Sequence, residues 1–178
     1  MMFSDFSLLE HAIRRYPFGR LSSRIRNTRT NSTIISNMAE SKAQWHDAFP
    51  TPSFDTPRMS LETLAEIIQQ KAAGVDYIVV DARRNDFENV YIKGAINLPA
   101  QSFYPTLPTT TILLSKIPEV IFHCNSCTET GRGPRMAGWY AAQLKQAGIT
   151  TSKAWILDGG IKRFESLYRD NDNLVVKL

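Results

Sequence analysis

A predicted strand, a cysteine-containing loop and the start of a helix follow one another between residues 120 and 135, and this succession constrains the fold more than any other feature. The apolar residues 120–122 predict a short buried strand, and Pro134 fits the first turn of a helix, where its missing N–H is not needed. The loop between them must pass over the helix N-terminus, where free backbone N–H groups and the helix dipole favour an anion and lower the pKa of a cysteine. Cys124 and Arg132 are accordingly predicted to place a thiolate and a planar, two-pronged cation around one oxyanion site.

Strand-like and helix-like patterns alternate from Ser60 onward. Ser60 is expected to cap a helix with one apolar face, and Gly74 to end it. Further strands are predicted at residues 77–80, 96–98 and 154–157, and further helices after the cysteine loop and after Gly159-Gly160. A Thr-rich, weakly helical segment precedes the cysteine strand. This alternation predicts an α/β domain with a mainly parallel central sheet flanked by helices, whose ligand sites lie at the carboxyl ends of the strands.

Composition and pattern divide the chain into three parts. With 178 residues, 43% hydrophobic and 21% charged, there is material for one core. Residues 60–178 are predicted to form this domain, and residues 38–59, which contain three prolines, an irregular N-terminal arm. Residues 1–37 form a basic leader, interpreted either as a disordered extension or as a mitochondrial transit peptide.

The net charge of +4 comes from the leader, which has six arginines against Asp5 and Glu10. From Met38 onward 15 basic residues balance 15 acidic ones, so nucleic acid is not expected as a partner of the folded part. No uninterrupted apolar stretch approaches the roughly 20 residues that cross a bilayer, and no membrane association is predicted. The expected location is cytoplasmic and nuclear, or mitochondrial if residues 1–37 direct import.

The chain has two cysteines, Cys124 and Cys127. They build no disulfide framework and indicate a reducing compartment. A zinc site would need four ligands, and His11 and His46 lie far upstream in the sequence, so no metal is expected. A thioredoxin-like pair would lead straight into a helix, whereas here the loop continues. Cys127 is therefore interpreted as a resolving thiol that could form a reversible disulfide with oxidised Cys124.

Several short motifs resemble the single-domain rhodanese-like family, in the branch that holds the cell-division-cycle dual-specificity phosphatases and the fungal-type arsenate reductases. The resemblance covers roughly residues 57–168. The matching residues are His123-Cys124, Arg132-Gly133-Pro134-Arg135-Met136-Ala137, Asp81-Ala82-Arg83, Gly94-Ala95-Ile96-Asn97-Leu98-Pro99 and Leu157-Asp158-Gly159-Gly160-Ile161. The phosphatases of this branch have five residues between the cysteine and the arginine, whereas seven separate Cys124 from Arg132.

The resemblance implies a single rhodanese-like domain and gives roles to the loop residues. Cys124 is the implied nucleophile, and Arg132 is expected to stabilise the oxygens of the transition state. Glu129 is the candidate for protonating the leaving group, because the phosphatases of the family place a glutamate beside the arginine. The other residues expected to bind the substrate anion are Asn125, Ser126, Cys127, Thr128, Thr130, Gly131, Gly133 and Arg135. A salt bridge on the helix surface is the alternative for Arg135.

Two polar residues beside the loop are interpreted as structural. Asp81 follows a predicted strand, and the resemblance implies a carboxylate that pairs with nearby loops. His123 precedes the cysteine, and the alternation of side chains along a strand points it away from Cys124, as expected for a hydrogen-bonded core histidine.

Three functions remain open on the sequence. The first is a cysteine-dependent phosphatase for phosphorylated tyrosine, serine or threonine, with arsenate reduction by the same pocket as a sister activity and glutathione, glutaredoxin or Cys127 as reductant. The second is a sulfurtransferase that carries a persulfide on Cys124 or Cys127. The third is a non-catalytic phosphate-binding or scaffold module. The expected partners are a phosphorylated protein or a small oxyanion and a second copy of the chain, and no resident cofactor is expected.

Overall fold

The computed structural model describes residues 43–178, so the predictions for the leader, and for residues 38–42 of the arm, lie outside the described part. Seven strands and four helices form within the described range. The strands are β1 (Arg58–Met59), β2 (Tyr77–Asp81), β3 (Val90–Ile92), β4 (Ala95–Asn97), β5 (Glu119–His123), β6 (Lys153–Leu157) and β7 (Val175–Lys177). The helices are α1 (Leu61–Gln70), α2 (Ala100–Leu114), α3 (Arg132–Ala147) and α4 (Gly160–Tyr168).

Five of the strands form one parallel sheet in the order β1-β6-β5-β2-β4. Strand β5 lies at its centre and pairs with β2 and β6, so that Phe122 is in register with Val80 and Ile156. All five residues of β2 are buried, as a continuous apolar strand predicts for a sheet covered on both faces. The predicted α/β class with a parallel sheet flanked by helices is confirmed.

The arm contributes more to the sheet than its prolines suggested. Arg58 and Met59 form β1 and pair with β6, so the last two residues of the predicted arm belong to the sheet. The arm also packs on α3: the indole N–H of Trp139 donates to the carbonyl of Pro50 at 2.7 Å. A Cβ on Gly138 would collide with the carbonyl oxygen of Ser53. Glycine therefore allows the arm to approach the helix closely.

The structure differs from the sequence prediction at the end of α1 and in a second, smaller sheet, whereas the helical segment before β5 is present. Helix α1 is capped by Ser60, whose hydroxyl accepts from the Thr63 amide at 3.1 Å, but it ends at Gln70 rather than at Gly74. Gly74, with φ of +79°, instead forms the turn into β2. The weakly helical segment is the fifteen-residue helix α2, and the short antiparallel sheet of β3 and β7 was not predicted. Within residues 43–178, no helix combines the length and apolarity that a bilayer crossing requires.

Candidate active site

Cys124 directly follows β5, at the carboxyl end of the central strand, where a parallel sheet places its ligand sites. Its side chain is only 4% exposed. The chain then runs through a loop to Gly131 and enters α3 at Arg132, so the helix N-terminus faces the loop. The strand, loop and helix predicted from the sequence are therefore present.

Two glycines let neighbouring backbones approach the cysteines. Gly133 packs on Cys127, because a Cβ there would lie 3.0 Å from the Cys127 sulfur and 3.1 Å from the His123 backbone. Gly160, at the start of α4, has φ of +62°, and a Cβ there would lie 2.5 Å from the Cys124 carbonyl oxygen. The next amide, of Ile161, donates to that same carbonyl at 2.9 Å. The N-terminus of α4 thus fixes the point at which the chain leaves β5.

The loop itself is folded by local bonds. Cys127 has a left-handed backbone with φ of +47°, an uncommon conformation for a residue other than glycine. The Gly131 amide donates to the Thr128 carbonyl at 2.9 Å, which closes the turn just before α3. On the outer side, Arg58 donates from Nη1 to the Cys127 carbonyl at 3.1 Å. These bonds bring the longer loop back to the helix start.

The two cysteine sulfurs lie 3.8 Å apart inside the loop. A hydrogen bond from the Cys127 thiol, aided by the backbone N–H groups of Gly133 and Cys127 and by the charge of Arg132, lowers the pKa of Cys124 to about 5 despite burial. The same contact and burial raise the pKa of Cys127 well above its usual value. These opposite shifts favour the thiolate on Cys124 and the thiol on Cys127.

Arg132 makes an end-on ion pair with Asp86, a residue of the loop after β2. Arg132 Nη1 lies 2.8 Å from Asp86 Oδ1, and Nη2 lies 2.5 Å from Oδ2. Asn125 joins the pair through its Nδ2, 2.7 Å from Asp86 Oδ2. The hydrogen bond from Arg132 holds the pKa of Asp86 well below its usual range, so Asp86 is a carboxylate. Both side chains stay partly exposed, as groups at the mouth of a site must be.

A buried charge cluster lies behind the site. The Arg83 guanidinium binds Asp81 through Nε and Nη2, at 2.8 to 3.1 Å, and also donates to the Val90 carbonyl at 2.7 Å. His123 is fully buried, with Nε2 3.5 Å from Asp81 Oδ2 and Nδ1 3.3 Å from the Cys124 carbonyl oxygen. Burial lowers the pKa of His123. These contacts agree with the structural roles that the sequence analysis gave to Asp81 and His123.

The remaining predicted residues divide into an exposed group and a buried one. Ser126, Thr128, Glu129 and Thr130 are exposed on the loop. Arg135 is 6% exposed, and its guanidinium lies over the ring of Phe54, 5.4 Å from the ring centroid. The expected position on the helix surface is therefore wrong for Arg135, because its side chain is buried against the arm, and its role in anion binding stays a prediction. Among residues 43–178, no three His, Cys, Asp or Glu side chains gather as metal ligands would.

Asp86 and Arg58 are the two site residues that the sequence analysis missed. Asp86 was given no role in the sequence analysis. The usable signal was topological: β2 and β5 are adjacent parallel strands, so the residues that follow them lie side by side. Arg58 lies in β1, which pairs with β6, and this pairing brings its side chain to the cysteine loop. A strand of two residues is too short to give a recognisable sequence pattern.

Comparison with protein families gives a match to the rhodanese-like domain over residues 60–167. The chain belongs to the rhodanese-like domain family. The match begins at the cap of α1 and ends within α4, so it contains Cys124, Arg132 and Asp86.

Two kinds of curated protein resemble this rhodanese-like chain. It is 32% identical over 121 residues to M-phase inducer phosphatase 2 of Rattus norvegicus, a match that covers 62% of this chain and 21% of that protein. The chain thus spans about a fifth of the length of the phosphatase. It is also 32% identical over 106 residues to Arsenical-resistance protein 2 of Saccharomyces cerevisiae, covering 54% of this chain and 80% of that protein.

Solved structures give the same fold. A Saccharomyces cerevisiae protein described as a homolog of single-domain rhodanese and of a phosphatase catalytic domain superposes with a TM-score of 0.60, at 23% identity, over 70% of this chain and 91% of that one. The As-Sb reductase of Leishmania major superposes with a TM-score of 0.58, at 23% identity, over 69% of this chain and 93% of that one. These likenesses confirm the predicted single rhodanese-like domain.

Proposed function

We propose that the protein is a cysteine-dependent phosphatase of the protein tyrosine or dual-specificity type, with Cys124 as the nucleophile. The observation that carries the proposal is geometric: Cys124 is buried beside Cys127, before the helix that begins with Arg132. The contact with Cys127 and backbone N–H groups lower the pKa of Cys124. A thiolate, rather than a thiol, is the reactive form of a nucleophilic cysteine. Arg132 supplies N–H donors in a rigid fork that suits phosphate oxygens.

In the proposed reaction, the Cys124 thiolate attacks the phosphorus of a phosphate ester, and the bond between phosphorus and the leaving oxygen breaks. The leaving oxygen takes a proton from an acid, for which Glu129 on the exposed part of the loop is our candidate. Water then attacks the phosphocysteine and regenerates the thiolate. Arg132 and the loop N–H groups would stabilise the equatorial oxygens in both steps. The wider set of proposed anion-binding residues is Asn125, Ser126, Cys127, Thr128, Thr130, Gly131, Gly133 and Arg135.

The lengthened loop is compatible with this chemistry. Seven residues separate Cys124 from Arg132, but the turn between Thr128 and Gly131 takes up length. Arg132 still comes close enough for its charge to lower the pKa of Cys124. This closeness supports a catalytically competent site over the non-catalytic binding module.

Arsenate reduction is the second candidate, favoured by the position of Cys127. Arsenate resembles phosphate in charge and shape, so Cys124 could attack it with loss of water. A thiol would then attack the Cys124 sulfur and release arsenite, leaving a disulfide: arsenic gains two electrons and two thiols lose them. Cys127, 3.8 Å away, is placed to be that thiol, and glutathione with glutaredoxin would restore the pair. The match over most of Arsenical-resistance protein 2 supports this candidate.

A paired assay of the full chain tests the proposal. Wild type and the Cys124→Ser variant are compared on an aryl phosphate, on arsenate with glutathione and glutaredoxin, and on thiosulfate with cyanide. Phosphate release that disappears in the variant supports the phosphatase, and arsenite production that disappears supports the reductase. Thiocyanate alone would assign the protein to the sulfurtransferases. Silence on all three substrates would favour the binding module.

The setting of the reaction is proposed on the same grounds. We propose a phosphorylated protein or a small oxyanion as substrate, without a resident metal or nucleic acid partner. The cytoplasm and nucleus are the proposed compartments, with mitochondria if residues 1–37 direct import, and a homodimer is the proposed assembly. Fluorescence imaging of the full chain and of residues 38–178, each with a C-terminal tag, would test the location.

A further inference from the structure

We propose that Asp86 is a positioning residue of the oxyanion site, which holds Arg132 and Asn125 so that the free edge of the guanidinium faces Cys124. The proposal deepens the proposed function, because it rests on the pocket binding oxyanions. It assigns a role to the loop after β2, which lies outside the cysteine loop in sequence.

The ion pair between Asp86 and Arg132 leaves part of the guanidinium available to another anion. Asp86 contacts Arg132 end-on, through Nη1 and Nη2, at 2.8 and 2.5 Å. A guanidinium has five N–H groups, so this contact leaves the Nε–H and the remaining Nη hydrogens for another acceptor. A side-on pair of donors therefore stays available to a second anion. The charge of Arg132 also favours the ionised form of Cys124, so this guanidinium serves both Asp86 and Cys124.

Asp86 is itself held in place by hydrogen bonds from neighbouring residues of its loop. Its Oδ1 accepts from the Arg84 amide at 3.0 Å, and its carbonyl accepts from Arg83 Nη1 at 3.4 Å. Arg83 is in turn held by the buried carboxylate of Asp81. Asp86 thus stands at the end of a bonded chain that begins in the core. A side chain fixed in this way can hold a partner within the narrow tolerance that catalysis needs.

The contact with Asn125 helps to decide whether Asp86 positions Arg132 or competes with the substrate for the anion site. Asp86 Oδ2 accepts from both Arg132 and Asn125, so the carboxylate joins the first residue of the cysteine loop to the first residue of α3. A carboxylate that merely occupied the anion site would have to leave when substrate binds, and this one is braced by Arg83 and Arg84. The charged side chains that contact Asp86 are Arg132, at the carboxylate, and Arg83, at the backbone carbonyl, whereas Arg84 contacts it through its backbone amide. We therefore expect that removing the carboxylate weakens the anion site.

The test uses two alkylating reagents on the full chain, because they read the anion site without any turnover. Iodoacetate carries a carboxylate that Arg132 can bind, and iodoacetamide is its neutral counterpart. The ratio of their rate constants at Cys124 measures how strongly the site favours an anionic reagent. Because both reagents react with the same thiolate, a change in the thiolate fraction does not alter this ratio. We expect Asp86→Asn and Asp86→Ala to lower this ratio and kcat for an aryl phosphate by about 10- to 100-fold. Asp170→Asn, an exposed aspartate paired with Lys177, is the matched control.

A double-variant cycle distinguishes positioning from a merely structural role. If Asp86 acts through Arg132, Asp86→Asn should have little further effect on the ratio once Arg132→Lys is present. Asp86→Glu should recover part of the loss, and thermal unfolding establishes that each variant is folded. The proposal would be overturned by an unchanged ratio in the folded Asp86→Asn protein or by full additivity with Arg132→Lys. A raised ratio would also overturn it, because it would show that Asp86 competes with the anion.

The outcomes also separate this proposal from the proposed function. Wild type that prefers iodoacetate but turns over no phosphate, arsenate or thiosulfate would refute the enzyme and leave the role of Asp86 intact. Wild type without a preference for iodoacetate would refute the positioning role, because there would be no anion site to organise.

Discussion

Cys127→Ala should raise the pKa of Cys124, because the Cys127 thiol is the main donor to that thiolate. The two sulfurs are 3.8 Å apart, and burial opposes ionisation of Cys124, so losing the donor leaves the thiolate less stabilised. The backbone donors from Gly133 and Cys127 and the charge of Arg132 would remain. The pKa should therefore rise without returning to its ordinary value.

The size of the effect follows from the energy of one bond. A hydrogen bond to a charged group contributes about 1.5–3 kcal/mol, and one pKa unit corresponds to about 1.4 kcal/mol. The pKa of Cys124, about 5 in the wild type, should thus rise by about one to two units in the variant. At pH 5.5 the fraction of thiolate, and with it the alkylation rate, would fall by about 3- to 25-fold.

The assay is the rate of alkylation by iodoacetamide from pH 4 to 9, with mass spectrometry to identify the modified cysteine. Wild type should give a midpoint near 5 and a flat rate above pH 6.5, because the thiolate is then fully formed. Cys127→Ser is the control, because its hydroxyl still donates, so its midpoint should stay close to that of the wild type. A Cys127→Ala midpoint within about 0.3 unit of the wild type would refute the assignment of Cys127 as the main donor.

Three further predictions concern the scaffold and the cysteine pair. Gly160→Ala should destabilise the fold by at least about 1–3 kcal/mol in urea unfolding, because φ is +62° and the new Cβ would meet the Cys124 carbonyl oxygen at 2.5 Å; an unchanged midpoint would contradict the close approach of α4. Asp81→Asn should cost about 3–5 kcal/mol in the same measurement, because it leaves the buried Arg83 without its carboxylate; a loss below about 1 kcal/mol would show that water compensates the charge. Mild peroxide should give a disulfide between Cys124 and Cys127, which mass spectrometry detects and dithiothreitol reverses; sulfinic acid on Cys124 without a disulfide would show that Cys127 does not resolve it.

The central part of the fold could be predicted because its signals are local. Residues 120–122, shortly before Cys124, are all apolar, and Gly133-Pro134 marks a helix start, so strand, loop and helix follow from short-range patterns. The parallel sheet then follows from the alternation of elements. Gly74 was misread because a glycine with positive φ serves a turn as well as a helix end, and only the extended Lys71 shows where α1 stops.

The parts that escaped prediction depend on contacts between distant residues. Strands β3 and β7 have three residues each and pair across more than eighty positions of the chain, so no periodicity announces them. Helix α2 contains Pro105 and Pro108, which weaken a helical pattern, yet Phe103 and Leu107 are buried and packing overrides the local preference. Asp86 joins the site from 46 residues before Arg132. A contact of that range depends on the tertiary fold, so the cysteine and arginine were predicted while the residue that orders them was not.

The nucleophilic role of Cys124 can be tested by trapping the covalent intermediate on its sulfur. The full chain is mixed with an aryl phosphate, quenched in acid within milliseconds to seconds, and mapped by mass spectrometry. We expect one phosphoryl group on Cys124 in the wild type, an increased amount in Glu129→Gln if that residue also assists hydrolysis, and none in Cys124→Ser. Phosphate release that persists in Cys124→Ser, or turnover by a wild type that never carries phosphate on Cys124, would contradict the claim that this cysteine is the nucleophile.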